Sequence, residues 1–342
     1  MRILLIGGNG NISWWCAREA LKRNHEVTII SRGLTWATRR DPLQNAEYVL
    51  MDINDLETFE SFLTENHFDV ISDFLNYDAP STASRLELLS KHESKYVVIS
   101  STIIYERNES LRFLEENSPL RQIGFSPYVD GKLMIERLIE SHSEMAKRTL
   151  VIRPSHTFDT NLPTPLGSNC FTEVCRVLKG GNLLIPEDGT KNWTLMHSED
   201  FSTAWAELIE RESSFGDVFN VVNTESMTWN EISREILAVL EISHLRIKHV
   251  GISEIESIQI SGDSSLNGSN LGSNFSLHRK WSDQYNVSKL RRQIPGWTCT
   301  RSFKDGFFET MRWLNEKPER QRLNPSLAIA LNNLDMTVRN NQ

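Results

Sequence analysis

Arg2-Ile3-Leu4-Leu5-Ile6-Gly7-Gly8-Asn9-Gly10-Asn11-Ile12-Ser13, at the start of the chain, is the stretch on which the fold turns. Residues 2–6 are a short apolar run without polar alternation, the pattern of a central parallel strand covered on both faces. The run passes straight into glycines, and residues 14–23 then read as a helix. Strand, glycine turn and helix in that order offer backbone N–H groups and a helix N-terminus to a pyrophosphate. Gly7 and Gly10 stand where the tight turn and the close approach of a phosphate exclude a side chain, and Asn11 and Ile12 lie beside them at the helix start. Ser13 replaces the third glycine of the usual spacing, which predicts slightly looser packing of helix on strand. A glycine turn without a ligand is the alternative reading.

Working outward, residues 25–30 supply a second strand that ends at Ser31-Arg32-Gly33. In dinucleotide folds the tip of this strand meets the adenosine ribose, where an acidic residue would bind the 2′-hydroxyl of NAD. The hydroxyl of Ser31 and the guanidinium of Arg32 suit a 2′-phosphate instead, favouring NADP over NAD. A solvated loop arginine is the other reading of Arg32. Tyr48-Val49-Leu50 leads to Met51-Asp52-Ile53, where Asp52, with Ile53 beside it, can accept from an adenine amino group or else cap the helix beginning near Asp55. With further strands at residues 68–72 and 95–99, residues 1–155 alternate strand and helix, predicting an α/β fold with a doubly wound parallel sheet. A smaller C-terminal substrate lobe, interleaved with the last sheet elements, is expected over residues 156–330, and a frayed tail over 331–342. The Pro-punctuated residues 160–167 and the Ser/Gly/Asn-rich residues 261–274 read as mobile, the second as a capping loop or a disordered insertion.

Tyr128-Val129-Asp130-Gly131-Lys132 carries the chemistry. Residues four apart share a helix face, so the Lys132 ammonium can favour the ionised form of the Tyr128 phenol and draw its pKa from about 10 toward neutrality. The strand at 95–99 ends in Ser100-Ser101-Thr102-Ile103-Ile104-Tyr105.

Together these segments resemble the extended short-chain dehydrogenase/reductase family, the NAD-dependent epimerases and dehydratases. The resemblance implies a triad in which Ser101 donates to the reacting oxygen, Tyr128 exchanges the proton, and Lys132 holds the cofactor ribose and polarises the phenol. Val151-Ile152-Arg153-Pro154 resembles the segment that contacts the nicotinamide end, which implicates Pro154. Leu195-Met196-His197-Ser198-Glu199-Asp200 resembles the later Val-His-x-x-Asp segment, and Phe219-Asn220-Val221-Val222-Asn223 the strand before a further helix.

The departures narrow the chemistry. Thr102 and Ile103 stand where the sugar-nucleotide 4,6-dehydratases carry an Asp-Glu pair, so 4,6-dehydration by that mechanism is not expected. Trp193 stands where the nucleotide-sugar enzymes carry a diphosphate-binding arginine. An indole cannot neutralise a diphosphate, which leaves Lys191 or Arg292 to compensate, and its aromatic face would suit a base or a sugar ring. His156 replaces the usual Asn after the Arg-Pro pair, as a substrate ligand or a satisfied pocket histidine. Some segments, Arg153-Pro154-Ser155-His156-Thr157-Phe158 among them, are closer to a branch related to the chloroplast stem-loop RNA-binding proteins.

At 342 residues, 39% apolar and 24% charged, the composition is that of an ordinary globular chain. No apolar stretch approaches the roughly 20 residues of a membrane span, and the N-terminus enters a strand without a signal h-region, so a cytoplasmic protein with no membrane partner is expected. The net charge of −8 argues against nucleic acid, with Arg39-Arg40 and Arg291-Arg292 read as solvated faces. The four cysteines, Cys16, Cys170, Cys175 and Cys299, show no paired metal spacing and read as buried free thiols; no metal is expected. The expected function is NAD(P)-dependent hydride transfer, by an epimerase or a reductase, at a sugar or nucleotide-linked sugar. The protein is expected to be a homodimer, with an RNA-binding or cofactor-sensing relative of the fold as the alternative.

Overall fold

A computed structural model describes residues 1–33, 40–108, 113–166, 170–257 and 281–337. Six strands, β1 (Arg2–Ile6), β2 (Glu26–Ser31), β3 (Ala46–Leu50), β4 (Val70–Asp73), β5 (Lys95–Ile99) and β6 (Thr149–Pro154), join the strand Val218–Val221 in one parallel sheet. From one edge to the other the order is Val218–Val221, β6, β5, β4, β1, β2, β3. The chain reverses its direction of travel between β1 and β4, the switch point where α/β sheets bind ligands beyond their carboxyl ends.

The missing polar alternation in β1 has its cause in two-sided burial. Ile3 and Leu5 enter one apolar cluster, Leu4 and Ile6 another, and none of the four has exposed surface. On the first face pack α1 (Ser13–Lys22), through Cys16, Ala17 and Ala20, and the helix Ser198–Ile209, through Phe201 and Trp205. On the second lie α2 (Leu56–Glu65), α3 (Ala79–Ser90) and α4 (Pro127–Ser141), which contribute Phe59, Leu86 and Ile135. Burying each of these larger side chains contributes about 1.5–3 kcal/mol.

Local chemistry fixes the helix starts that matter for the site. Asp55 and Asp78 cap α2 and α3 by accepting from Thr58 N and Ser81 N. Ser126 caps α4 at Val129 N, and Pro127 occupies the first turn, where its missing N–H costs nothing. Tyr128 therefore sits in the first turn of α4, with Lys132 one turn further along.

Beyond β6 the chain builds a further apolar cluster from the helices Thr172–Leu178, Trp229–Val239 and Phe303–Glu316, including Phe158, Trp193, Trp229 and Phe307. The sheet strand Val218–Val221 comes from within this half of the sequence. Three expectations fail here. Residues 162–166, expected to be mobile, are buried, because Leu162 and Leu166 are anchored in two apolar clusters. The tail expected to fray from residue 331 is helical as far as Thr337, in the helix Pro325–Thr337. Its own Leu327, Leu331 and Leu334 bury one face against Leu166, Leu184 and Val250, and its Asp335 accepts from Arg176 at 2.8 Å and Asn182 N at 2.9 Å. Arg40 is not a solvated cation: it is half-buried, forks onto the buried Asp159 with one bond of 3.0 Å from Nε, and lies 5.1 Å and 5.0 Å from the Trp14 and Trp15 rings. Arg291 and Arg292 are exposed, and residues 261–274 lie outside the described residues. All four cysteines are free; Cys16 is buried, while Cys170, Cys175 and Cys299 are only partly covered.

Candidate active site

A cleft of about 830 Å³ opens beyond the carboxyl ends of the sheet strands. Every cofactor, catalytic and substrate residue expected from the sequence lines it: Gly7, Gly10, Asn11 and Ile12 after β1; Ser31 and Arg32 after β2; Asp52 and Ile53 after β3; Ser101 after β5; Tyr128 and Lys132 on α4; Pro154, His156 and Trp193.

The glycine turn is closed by the residue expected to loosen it. Ser13 is buried; its hydroxyl donates to Gly7 O at 2.7 Å and accepts from Gly10 N at 2.8 Å. Gly7 adopts φ +78, the left-handed conformation that favours glycine, and a Cβ there would strike Leu75 at 2.6 Å. Helix α1 begins with no side-chain cap and no acidic residue in its first turn, so its first amides and dipole remain available to an anion. Asn11 turns its side chain sideways, donating to Ser198 Oγ at 2.9 Å and tying the turn to the second half of the chain.

At the β2 tip, Ser31 Oγ accepts from Asn9 Nδ2 at 3.2 Å and Arg32 is exposed on the cleft wall. Asp52 accepts from Asn54 N at 3.0 Å in its own turn, and the capping of α2 falls to Asp55.

Tyr128 opens onto the cleft with 36% of its surface exposed, yet enough protein surrounds the phenol that desolvation pushes its pKa up to about 12. The nearby Tyr77 phenol pushes the same way, and the neighbouring Ser101 hydroxyl opposes both. Ser101 Oγ also accepts from Ile103 N at 3.3 Å, which fixes it over the short turn Thr102–Ile104.

Lys132 does not lower the phenol as expected. Its Nζ is buried, donates to Asn76 O at 2.8 Å and Ile99 O at 2.7 Å, and lies 5.1 Å from the Tyr77 ring centre and 5.7 Å from that of Tyr128. Burial draws the ammonium down to about 8, with Asp73 and Glu136 pulling the other way. Two of its three N–H groups hold the ends of β4 and β5 together, leaving one for the cleft.

Gly131, between Tyr128 and Lys132, is where the loop after β4 touches α4: a Cβ would lie 2.3 Å from Tyr77 O. Asn76 and Tyr77 are thus set against the helix, and neither was singled out in the sequence. Below them Asp73 is fully buried and accepts from Arg85 Nε at 3.1 Å, Tyr96 OH at 2.8 Å and Leu75 N at 2.8 Å.

The substrate end departs furthest from expectation. Arg153 turns into the protein, onto Glu136 at 3.0 Å and Tyr105 OH at 2.8 Å, and only Pro154 of the Arg-Pro pair lines the cleft. Trp193 does not present an open face. It is 5% exposed, with ring centres of His156 and Trp229 at 4.5 Å and 4.3 Å. Lys191 and Arg292 are exposed and neither lines the cleft; Arg292 lines a separate hollow of about 260 Å³ with Glu115 and Glu116. In their stead the cleft holds Arg107 and Asp283, which the sequence reading missed. Arg107 lies two residues beyond the recognised Tyr105, and Asp283 follows a stretch that matches no motif.

Among the described residues no group of His, Cys, Asp or Glu could hold a metal ion, and no helix is long and apolar enough to cross a membrane.

Known proteins with similar sequences fall into several activities. The chain is 24% identical over 245 residues to the chloroplast stem-loop binding protein of 41 kDa b from Arabidopsis thaliana, a match covering 68% of this chain and 61% of that protein. It is 21% identical over 242 residues to the 2′-dehydrokanamycin reductase of Streptomyces kanamyceticus, covering 69% and 66%. The chain thus spans a little under two thirds of the length of either relative. The structure of UDP-glucose 4-epimerase from Bifidobacterium longum in complex with NAD+ and UDP superimposes with a TM-score of 0.70 at 17% identity, over 94% of this chain and 100% of that one, which shows the shared fold. Residues 3–221, most of the chain and all seven strands of the sheet, match the family model, and the chain belongs to the NAD dependent epimerase/dehydratase family.

Proposed function

We propose that the protein is an NAD(P)-dependent epimerase or reductase acting at a secondary alcohol or ketone of a nucleotide-linked sugar, with Tyr128 as the acid/base. The observation that carries this is the convergence of Ser101, Tyr128 and Lys132 on one cleft beyond the strand ends, with Lys132 one helical turn from Tyr128 and buried against Asn76 O and Ile99 O. The glycine turn and the uncapped start of α1 fit a pyrophosphate, and Asp52 and Ile53 lie where an adenine would reach. Ser31 and Arg32 suit a 2′-phosphate, which favours NADP. Lys132 keeps one N–H for a ribose hydroxyl, and Pro154 borders the nicotinamide end. When bound, the nicotinamide supplies the chemistry of accepting or returning a hydride.

The protein's own part is proton transfer. A phenol held at about 12 is protonated at neutral pH, so Tyr128 is ready to give its proton to the oxygen of a ketone as that oxygen gains charge. Ser101 orients that oxygen by hydrogen bonding. In the opposite direction Tyr128 must first ionise, and its phenolate then accepts the proton of the alcohol. Thr102 and Ile103 carry no carboxylate, so 4,6-dehydration is disfavoured. His156 and the edge of Trp193 border the substrate.

Native mass spectrometry of the purified protein tests the assignment. Retained dinucleotide supports an epimerase that recycles its cofactor in place, and freely exchanging dinucleotide supports a reductase. Failure to bind either NAD or NADP, with or without substrate, overturns both.

The similarity to a stem-loop binding protein favours a second reading, an RNA-binding relative of the fold. The net charge of −8 and the presence of Ser101, Tyr128 and Lys132 together in the cleft oppose it. Filter binding to a stem-loop RNA across a salt series decides: salt-sensitive binding without dinucleotide-dependent activity would favour this reading over the enzyme.

A further inference from the structure

Among the described residues four cations line the cleft, and three are already engaged or belong to the dinucleotide end. Arg32 stands at the β2 tip. Arg85 is held by Asp73, and Lys132 by two carbonyls. The fourth, Arg107, has a side chain only 5% exposed. Its Nη2 makes all of its bonds, to Asp283 Oδ1 at 2.6 Å, Tyr285 OH at 2.9 Å and Thr102 O at 3.2 Å. Its Nε and Nη1 are buried and have no acceptor among the described residues. A buried guanidinium with two of three nitrogens unsatisfied is costly unless something else supplies the acceptors.

Its position matches a need. Asp283 N donates to Asn192 O at 2.9 Å, and Thr194 Oγ1 donates to Asp283 O, so the partner of Arg107 is bonded to the residues on both sides of Trp193. On the other side, Thr102 follows Ser101 directly. Arg107 thus stands between the reacting hydroxyls and the position where an arginine is missing. A second guanidinium, Arg121, is close enough for the charge of Arg107 to act on it, and burial together with that charge draws it down to about 10.

We propose that Arg107, positioned by Asp283, is the residue that recognises an oxyanion of the substrate, a phosphate or a carboxylate, in the place that Trp193 leaves uncharged. This rests on the reading of the cleft as a substrate site and names the chemistry at its far end. The Asp283 carboxylate both orients the guanidinium and offsets part of its charge, so the site suits one oxyanion approaching the free side of the guanidinium better than a concentrated polyanion.

Calorimetric titration of the full-length protein, saturated with its dinucleotide, tests the proposal with three probes: UDP, inorganic pyrophosphate and glucuronate. Arg107→Gln is expected to weaken the oxyanion probe that binds by at least roughly tenfold, the size of one lost charge-assisted hydrogen bond, with dinucleotide affinity unchanged within about twofold. Arg107→Lys, which keeps the charge, should recover most of the binding. Asp283→Asn keeps the shape and an acceptor but removes the opposing charge, and should tighten the same probe. Arg292→Gln, in the separate hollow, should change nothing. Binding of UDP and pyrophosphate identifies a phosphate, and binding of glucuronate alone identifies a carboxylate; either supports the proposal. Unchanged probe binding in Arg107→Gln overturns it. Where that variant fails to fold, equal weakening in Arg107→Lys and Asp283→Asn overturns it, because a purely structural pair loses stability from either side. A wild-type protein that binds no dinucleotide removes the cleft reading itself, a separate outcome.

Discussion

Lys132 Nζ lies 5.7 Å from the ring centre of Tyr128 and gives hydrogen bonds of 2.8 Å and 2.7 Å to the carbonyls of Asn76 and Ile99. The lysine of the Tyr-x-x-x-Lys step is thus first a clamp between the ends of β4 and β5. Burial, not this ammonium, governs the phenol, and it holds Tyr128 protonated at neutral pH.

Replacing Tyr128 by Phe removes the transferable proton and leaves the cleft's shape intact. Turnover should fall by about 100-fold or more, with dinucleotide affinity within about twofold of wild type. Steady-state kinetics beside a binding titration checks this, and activity within threefold of wild type would remove Tyr128 from the chemistry.

The pH behaviour of Lys132 has a definite sign. Its pKa of about 8 in the folded protein lies below the ordinary lysine value, so between the two the unfolded chain binds a proton that the folded one does not. Its contribution to stability is therefore largest above the ordinary lysine value and is lost as pH falls through about 8. Denaturant titrations from pH 7 to 10.5 should show a rising contribution that is absent from Lys132→Met. Dinucleotide affinity should move the other way in wild type, weakening above about 8 as the ammonium gives up the donor it keeps for the ligand.

Arg32→Ala should lower the preference for NADP over NAD by roughly tenfold, the loss of a charge-assisted hydrogen bond of about 1.5–3 kcal/mol. Parallel titrations with the two dinucleotides measure it. A wild type that already prefers NAD would show that the exposed guanidinium serves solvent.

Gly131→Ala sets two effects against each other. Alanine is better than glycine inside a helix by about 1 kcal/mol. The new Cβ, however, would lie 2.3 Å from the main-chain oxygen of Tyr77, which cannot rotate away. Overpacking of this kind costs about 1–3 kcal/mol, and contact with backbone belongs at the upper end, so a net loss of about 1–2 kcal/mol is expected. Because Asn76 O is pushed off Lys132 in the same movement, kcat should fall as well. Thermal unfolding and kinetics on the single variant test both, and an increase in Tm would mean that the loop after β4 yields freely.

The sequence by itself determined the parallel sheet, the glycine turn and the shared helix face of Tyr128 and Lys132, and it pointed to cleft residues from Gly7 to Trp193 while passing over Tyr77, Arg85 and Arg107. These depend on short-range causes: two-sided burial erases alternation in β1, and i to i+4 spacing sets Tyr128 and Lys132 on one face. What each residue touches was decided by tertiary structure. Ser13 could be seen as a missing glycine but not as the hydroxyl that closes the turn, and Arg153 could be seen in the cleft motif but not as the buried partner of Glu136. The tail was read as frayed because its sequence is polar, while Asp335 is held by Arg176 and Asn182 from more than 150 positions away. Arg107 and Asp283 meet across 176 positions at the end of the cleft. No periodicity or local spacing encodes such a meeting, since it arises only when the sheet and the apolar cluster beyond β6 bring distant loops to one wall.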